Sequence, residues 1–190
     1  MKVVNANMKK YFIIFLLSLF SNSLYSQIIG DKFVDRIEED GSRLIVTKHK
    51  AVAGNFKMFI EVGLVDIIEV NEQESYYLSI GVIGNHKKPV SKGRKLLLKL
   101  KDESMIDLEN YIKRDVKDYE GYKVILRYKV DEGIIQKIID GGVIKIRVEN
   151  DVDYKDCSVK KNAFSKTVKK AFDIIQEEKM RKSPDVYDGF

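Results

Sequence analysis

Cysteine is nearly missing from this 190-residue chain, in which Cys157 stands alone. A single thiol makes no internal disulfide, so the fold must be held by its core. Only two histidines are present, His49 and His86. With one cysteine beside them, they cannot build a zinc centre of the usual His/Cys kind. Tryptophan is absent, which weighs against a sugar-stacking platform, although ten tyrosines keep that surface chemistry open. No Gly-x-Ser-x-Gly elbow occurs, and no serine has a recognisable triad context. Gly81-Val82-Ile83-Gly84 lacks the lysine-threonine pair of a nucleotide loop, and its glycines read as a bulge or a sheet edge. There is no internal repeat and no low-complexity segment.

What is there begins with a leader. Lys9 and Lys10 precede an uncharged apolar run over residues 11–20 (YFIIFLLSLF), and a small-polar stretch, SNSLYSQ, follows. That order predicts a secretory signal peptide over residues 1–26, cleaved after Ser26. The run is shorter than the roughly 20 apolar residues a spanning helix needs. No second such run follows, so no transmembrane span is expected after cleavage, and the product is expected in the periplasm or outside the cell. No cysteine follows the leader to carry a lipid. Three of the 34 basic residues and none of the 29 acidic ones lie before residue 27, which lowers the net charge from +5 to +2 for the remainder. Nucleic-acid binding therefore gains no support from charge.

Residues 27–182 read as one β-rich domain, and residues 183–190, with Pro184 and Gly189, as a frayed tail. Strands are predicted over 33–38 and 43–48, joined by a hairpin turn at Asp40-Gly41. A long strand over 56–70 is expected to bend at Gly63 through a bulge. Further strands are predicted over 76–83, 95–101, 105–110, 122–130 and 143–149, the last of these closing the series. Leu96, Leu98 and Leu100 alternate with lysines, as do Ile106 and Leu108 with polar residues. A three-residue loop over 102–104 would set Leu100 opposite Ile106 and Lys99 opposite Asp107. Asp131 reads as the N-cap of a short helix that Gly141 and Gly142 end. Phe164, Val168, Ala171, Phe172 and Ile175 form the apolar stripe of a final helix over 162–180. The fold class expected is mainly β: an antiparallel β-sandwich or open barrel of about eight strands with a short helix and a C-terminal helix.

Three groups of residues carry possible chemistry. The segment 86–95 is the densest in cations, and Lys87, Lys88, Lys92 and Arg94 would contact an anionic partner, such as an anionic glycan, a lipid or an acidic envelope protein. The plainer reading is a solvated loop whose lysines guard the leucine-rich strand behind it. Asp151, Asp153 and Asp156 offer oxygen ligands for a cation such as calcium, but lack the glycine and the final glutamate of an EF-hand. The plainer reading is a solvated loop before the last helix. Cys157 with either histidine could form a thiolate pair, or could be a packing residue while both histidines sit at the surface. Paired carboxylates are possible anywhere among 29 acidic residues, and spacing singles none out.

The runs KGRKLLLKLKDESMIDLEN, YKVILRYKV and GGVIKIRVEN, followed by the lysine-rich helix with Phe164 and Phe172, resemble small uncharacterised exported bacterial β-rich proteins. The resemblance spans roughly residues 76–178 and implies a fold and a compartment without a named activity. The expected function is an exported non-enzymatic binding or structural module of the cell envelope that needs no cofactor. The alternative is an extracytoplasmic hydrolase with a carboxylate-based site.

Overall fold

The computed structural model describes residues 34–55, 58–84, 88–112 and 123–181. All of these lie in one compact unit that runs from residue 33 to the C-terminus. The segments expected to be a signal peptide (1–26) and a frayed tail (183–190), and His86, Lys87 and Tyr122, lie outside the described residues.

The described residues form two antiparallel sheets and two helices, with no closed barrel among them. Sheet A contains β1 (Val34–Ile37), β2 (Arg43–Val46), β3 (Lys50–Asn55), β4 (Met58–Ile68), β5 (Glu74–Gly84) and β8 (Lys123–Val130). Its order is β1-β2-β4-β5-β8, and β3 pairs with β4 beyond the end of β2. Sheet B contains β6 (Lys95–Leu100), β7 (Met105–Glu109), β9 (Val143–Glu149) and β10 (Tyr154–Ser158) in the order β10-β9-β6-β7. Helix α1 (Glu132–Gly141) connects β8 to β9, and α2 (Ala163–Met180) follows β10. Single bridges, Ala53 to Val159 and Asn110 to Tyr128, pin the sheets together at two corners.

Alternation places the core. Leu96, Leu98 and Leu100 meet Ile60, Val62, Leu64, Leu78, Ile80 and Leu126 in one buried cluster. Phe164, Val168, Ala171 and Ile175 bring α2 onto it. The Asp131 carboxylate accepts from the Ile134 amide at 2.7 Å, and α1 ends at Gly142 with φ +67°.

Three hairpin turns share one geometry. In each, a strand-end amide donates to the carbonyl four residues on, and the residue three along donates back. The middle Asx (Asp40, Asn71 or Asp102) accepts from the amide two residues on, at 2.9–3.0 Å. The third turn residue is left-handed: Gly41 at +82°, Glu72 at +65° and Glu103 at +68°.

Several expectations need correction. Among the described residues ten strands are present rather than about eight, and β3 and β10 are the additions. The 143–149 strand is not the last. The β6–β7 turn is centred one residue earlier than expected, because Asp102 takes the Asx position and Leu100 pairs through Ser104. Leu98 therefore faces Ile106, and Lys99 faces Met105 rather than Asp107. The apolar parity survives because the slip is two residues. Gly63 carries no bulge, and the β4–β5 ladder runs unbroken through it. A Cβ there would sit 3.1 Å from the Thr47 carbonyl oxygen, so the glycine admits the corner between β2 and β3. Gly81 lies between β4 and β8 rather than at an edge, beneath the crossing ion pair of Glu61 and Lys123 at 2.6 Å.

Candidate functional site

The basic segment and the acidic segment meet. Lys88 Nζ lies 2.7 Å from Asp153 Oδ2, which Lys155 also approaches at 3.2 Å. Asn150 Nδ2 donates to the other Asp153 oxygen at 2.6 Å. Arg94 Nε donates to Asp151 Oδ1 at 2.8 Å, and the Ser91 amide and hydroxyl add bonds of 3.0 and 2.8 Å. Lys92 Nζ stands 5.5 Å from the centre of the Tyr111 ring. Two groups expected to bind ligands of opposite sign thus bind each other and tie β6 to the loop after β9. These bonds, Lys88 first, hold the Asp153 carboxyl far below the usual carboxylate range. Burial pushes Asp151 up, but the bonds from Arg94 and Ser91 outweigh it and leave it lowered.

Asp156 lies apart from these two, on β10 rather than in a loop. The Arg147 guanidinium grips it at 2.7 and 2.9 Å, Lys145 adds a contact of 2.7 Å, and its pKa falls to about 2. Among the described residues, no group of three or more His, Cys, Asp or Glu side chains could hold a metal.

His49 is not a surface residue. Its Nε2 lies 2.8 Å from the Ser79 hydroxyl, and burial, with help from Lys123 and Arg127, pushes its pKa down to about 4. It is therefore neutral at pH 7. Cys157 is buried opposite Ile146, and burial pushes its thiol pKa up, the reverse of an activated nucleophile. Surface hollows lie elsewhere. One of about 160 Å³ is lined by Leu97, Lys99, Met105, Lys145, Arg147 and Asp156 on the outward face of sheet B. Exposed Met105 and Tyr154 flank that face, and Arg147 stacks 3.9 Å from the Tyr154 ring centre.

A carboxylate pair does exist, and spacing did not reveal it. Asp66 shares the inward face of β4 with Met58, Ile60, Val62 and Leu64, and its relative exposure is 0 %. Glu74 and Tyr76 share the inward face of β5, and Tyr76 pairs directly with Asp66. The end of α2 covers them. Lys179 binds Glu74 and donates to the Tyr76 hydroxyl at 2.8 Å, Gln176 donates to the same hydroxyl at 3.2 Å, and Glu132 of α1 lies 3.0 Å from it. Arg43 forks onto Asp35 at 2.9 and 2.6 Å and reaches the Glu178 carbonyl at 3.0 Å. Burial first, then the neighbouring Glu74 charge, raises the Asp66 pKa to about 7. One signal was present in the sequence: Asp66 is the acid that interrupts the apolar parity of residues 58–68.

No family model matches the chain, and neither the comparison with curated proteins nor that with solved structures gave a match.

Proposed function

We propose that the chain is an exported, non-enzymatic binding or structural module of the cell envelope, and that the outward face of sheet B is its contact surface. One observation carries this reading: the hollow at Leu97, Met105 and Arg147 opens on an exposed sheet face where cations and apolar side chains mix. We place the anionic-partner contact at Lys99, Lys145 and Arg147 because they line this hollow; their own pairs with Glu103 and Asp156 must open or be shared when the partner binds. The leader over residues 1–26 supports the exported compartment.

The test is a titration of the full chain with a polyuronate and, separately, with vesicles containing anionic phospholipid. Amide signals are followed by NMR. Saturable shifts confined to β6, β7, β9 and β10 and weakened by salt are expected, and Arg147→Ala should weaken them. Absence of saturable binding to either probe refutes the contact surface. An exported product whose N-terminus is Met1 rather than Gln27 refutes the cleavage.

A second reading, an extracytoplasmic hydrolase, is favoured by the Asp66–Glu74 pair, one member of which titrates near neutrality. Its weakness is that Asp66 has no exposed surface on which to meet a substrate. Turnover in a panel of glycosides and esters, lost in Asp66→Asn, would favour this reading over the first.

A further inference from the structure

We propose that docking of the C-terminal turns of α2 onto sheet A depends on one proton shared between Asp66 and Glu74, and that this helix end loosens when rising pH removes it.

Charge balance is the first ground. The groups that face this corner come from six elements: Asp35 of β1, Arg43 of β2, Asp66 of β4, Glu74 and Tyr76 of β5, Glu132 of α1, and Gln176, Glu178 and Lys179 of α2, with Arg181 just beyond. Each cation is engaged: Arg43 with Asp35, Lys179 with Glu74, and Arg181 with Glu178 at 2.5 Å. Glu132 and Glu74 compete for the single Tyr76 proton. Asp66 is left over, with no cation in contact.

The second ground is hydrogen bonding. Both Asp66 oxygens are buried and find no donor among the described residues. Two ionised carboxylates can only accept, so Asp66 and Glu74, although within bonding reach, have nothing to offer each other. One proton converts that repulsion into a bond. Burial pushes both carboxyls up, but at Glu74 the contacts with Lys179, Tyr76 and Asp66 together outweigh it, and Glu74 ends lowered. The proton therefore resides on Asp66 and is donated to Glu74.

The consequence runs through α2. Lys179 and the Glu178 carbonyl are the helix's polar ties to β5 and β2. A bare Asp66 carboxylate beneath them is relieved when the helix end lifts and water enters. The folded value lies above the unfolded one, so the docking contribution is complete below about pH 4 and is lost as the pH rises through neutrality.

The test is NMR on the uniformly labelled full chain between pH 4 and 9. The Asp66 carboxyl carbon and the amides of residues 174–180 are expected to titrate together near pH 7. Exchange of those amides, corrected for its intrinsic pH dependence, should quicken by up to about tenfold per pH unit in that window. In Asp66→Asn the change should fall below about twofold over the whole range. In Glu74→Gln the Asp66 midpoint should drop by roughly a unit or more, because a neutral amide replaces a charge. That second variant decides the matter if the first does not fold. An Asp66 carboxyl that titrates in the ordinary range near 4, or an α2 response that persists in Asp66→Asn, overturns the proposal.

Discussion

Replacing Glu72 by glycine is expected to stabilise the protein, and the three matched turns supply the controls. Glu72 sits at φ +65° in the same turn position that Gly41 occupies at +82°. A left-handed L-residue costs about 1–2 kcal/mol. Glycine returns about 0.5–1 kcal/mol of that through its freer unfolded chain. The net gain expected for Glu72→Gly is therefore about 0.5–1 kcal/mol. Glu103→Gly relieves the same strain at +68° but gives up the pair with Lys99, an exposed contact worth a few tenths of a kcal/mol. Its gain should be smaller. Gly41→Ala should lose about 1 kcal/mol or more, because its new Cβ would stand 3.1 Å from Val70 Cγ2 in addition to the backbone strain. Urea unfolding reads all three. With a slope of about 2 kcal/mol per molar, the Glu72→Gly midpoint should rise by about 0.3–0.5 M at unchanged slope. A lower midpoint for Glu72→Gly, or an unchanged one for Gly41→Ala, would refute the shared geometry.

Tyr128→Phe should also stabilise, by about 1 kcal/mol or more, since the fully buried hydroxyl has no hydrogen-bond partner among the described residues; a thermal midpoint lowered by several degrees would mean that it is bonded. Asp156 lies well below its ordinary value of 3.8, so its contribution is complete above about pH 4 and lost as the pH falls toward 2. Asp156→Asn should therefore flatten the acid limb of a stability-versus-pH curve, and an unchanged limb would refute the Arg147 grip. Leu98→Ala removes a side chain with no exposure from the middle of the core and should cost about 2–5 kcal/mol by denaturant titration.

The parts of the fold that could be read in advance follow from strict alternation. Leu96, Leu98 and Leu100 announce their face, and the Asp131 cap and paired glycines bracket α1. The two missed strands carry no such pattern. β3 is KAVAGN and β10 is YKDCS. They are strands because β4 and β9 supply ladder partners, and pairing across a sheet overrides weak propensity. The β6–β7 register failed on turn chemistry alone, since an Asx bond places the turn where apolar parity cannot. The two charged segments were read one at a time, each by its local composition. Arg94 and Asp151 are 57 positions apart, and nothing local shows that they meet. Asp66 was hidden for the opposite reason, as one of two acids inside a strongly apolar strand.

The layout of the sheets also sets an order of assembly. β4 and β5 are neighbours along the chain and zip across eleven positions around one tight turn. Sheet B is two local hairpins joined by β6 and β9, whose partners Leu96 and Val148 lie on opposite sides of β7, β8 and α1. Closing that long loop costs more chain entropy than closing the β4–β5 turn, so the β4–β5 hairpin is expected to form before the β6–β9 seam. Until that seam forms, the leucine-rich edge of β6 is open to any partner, and Lys95 and Lys99 on the strand are charges of the kind that discourage a wrong pairing.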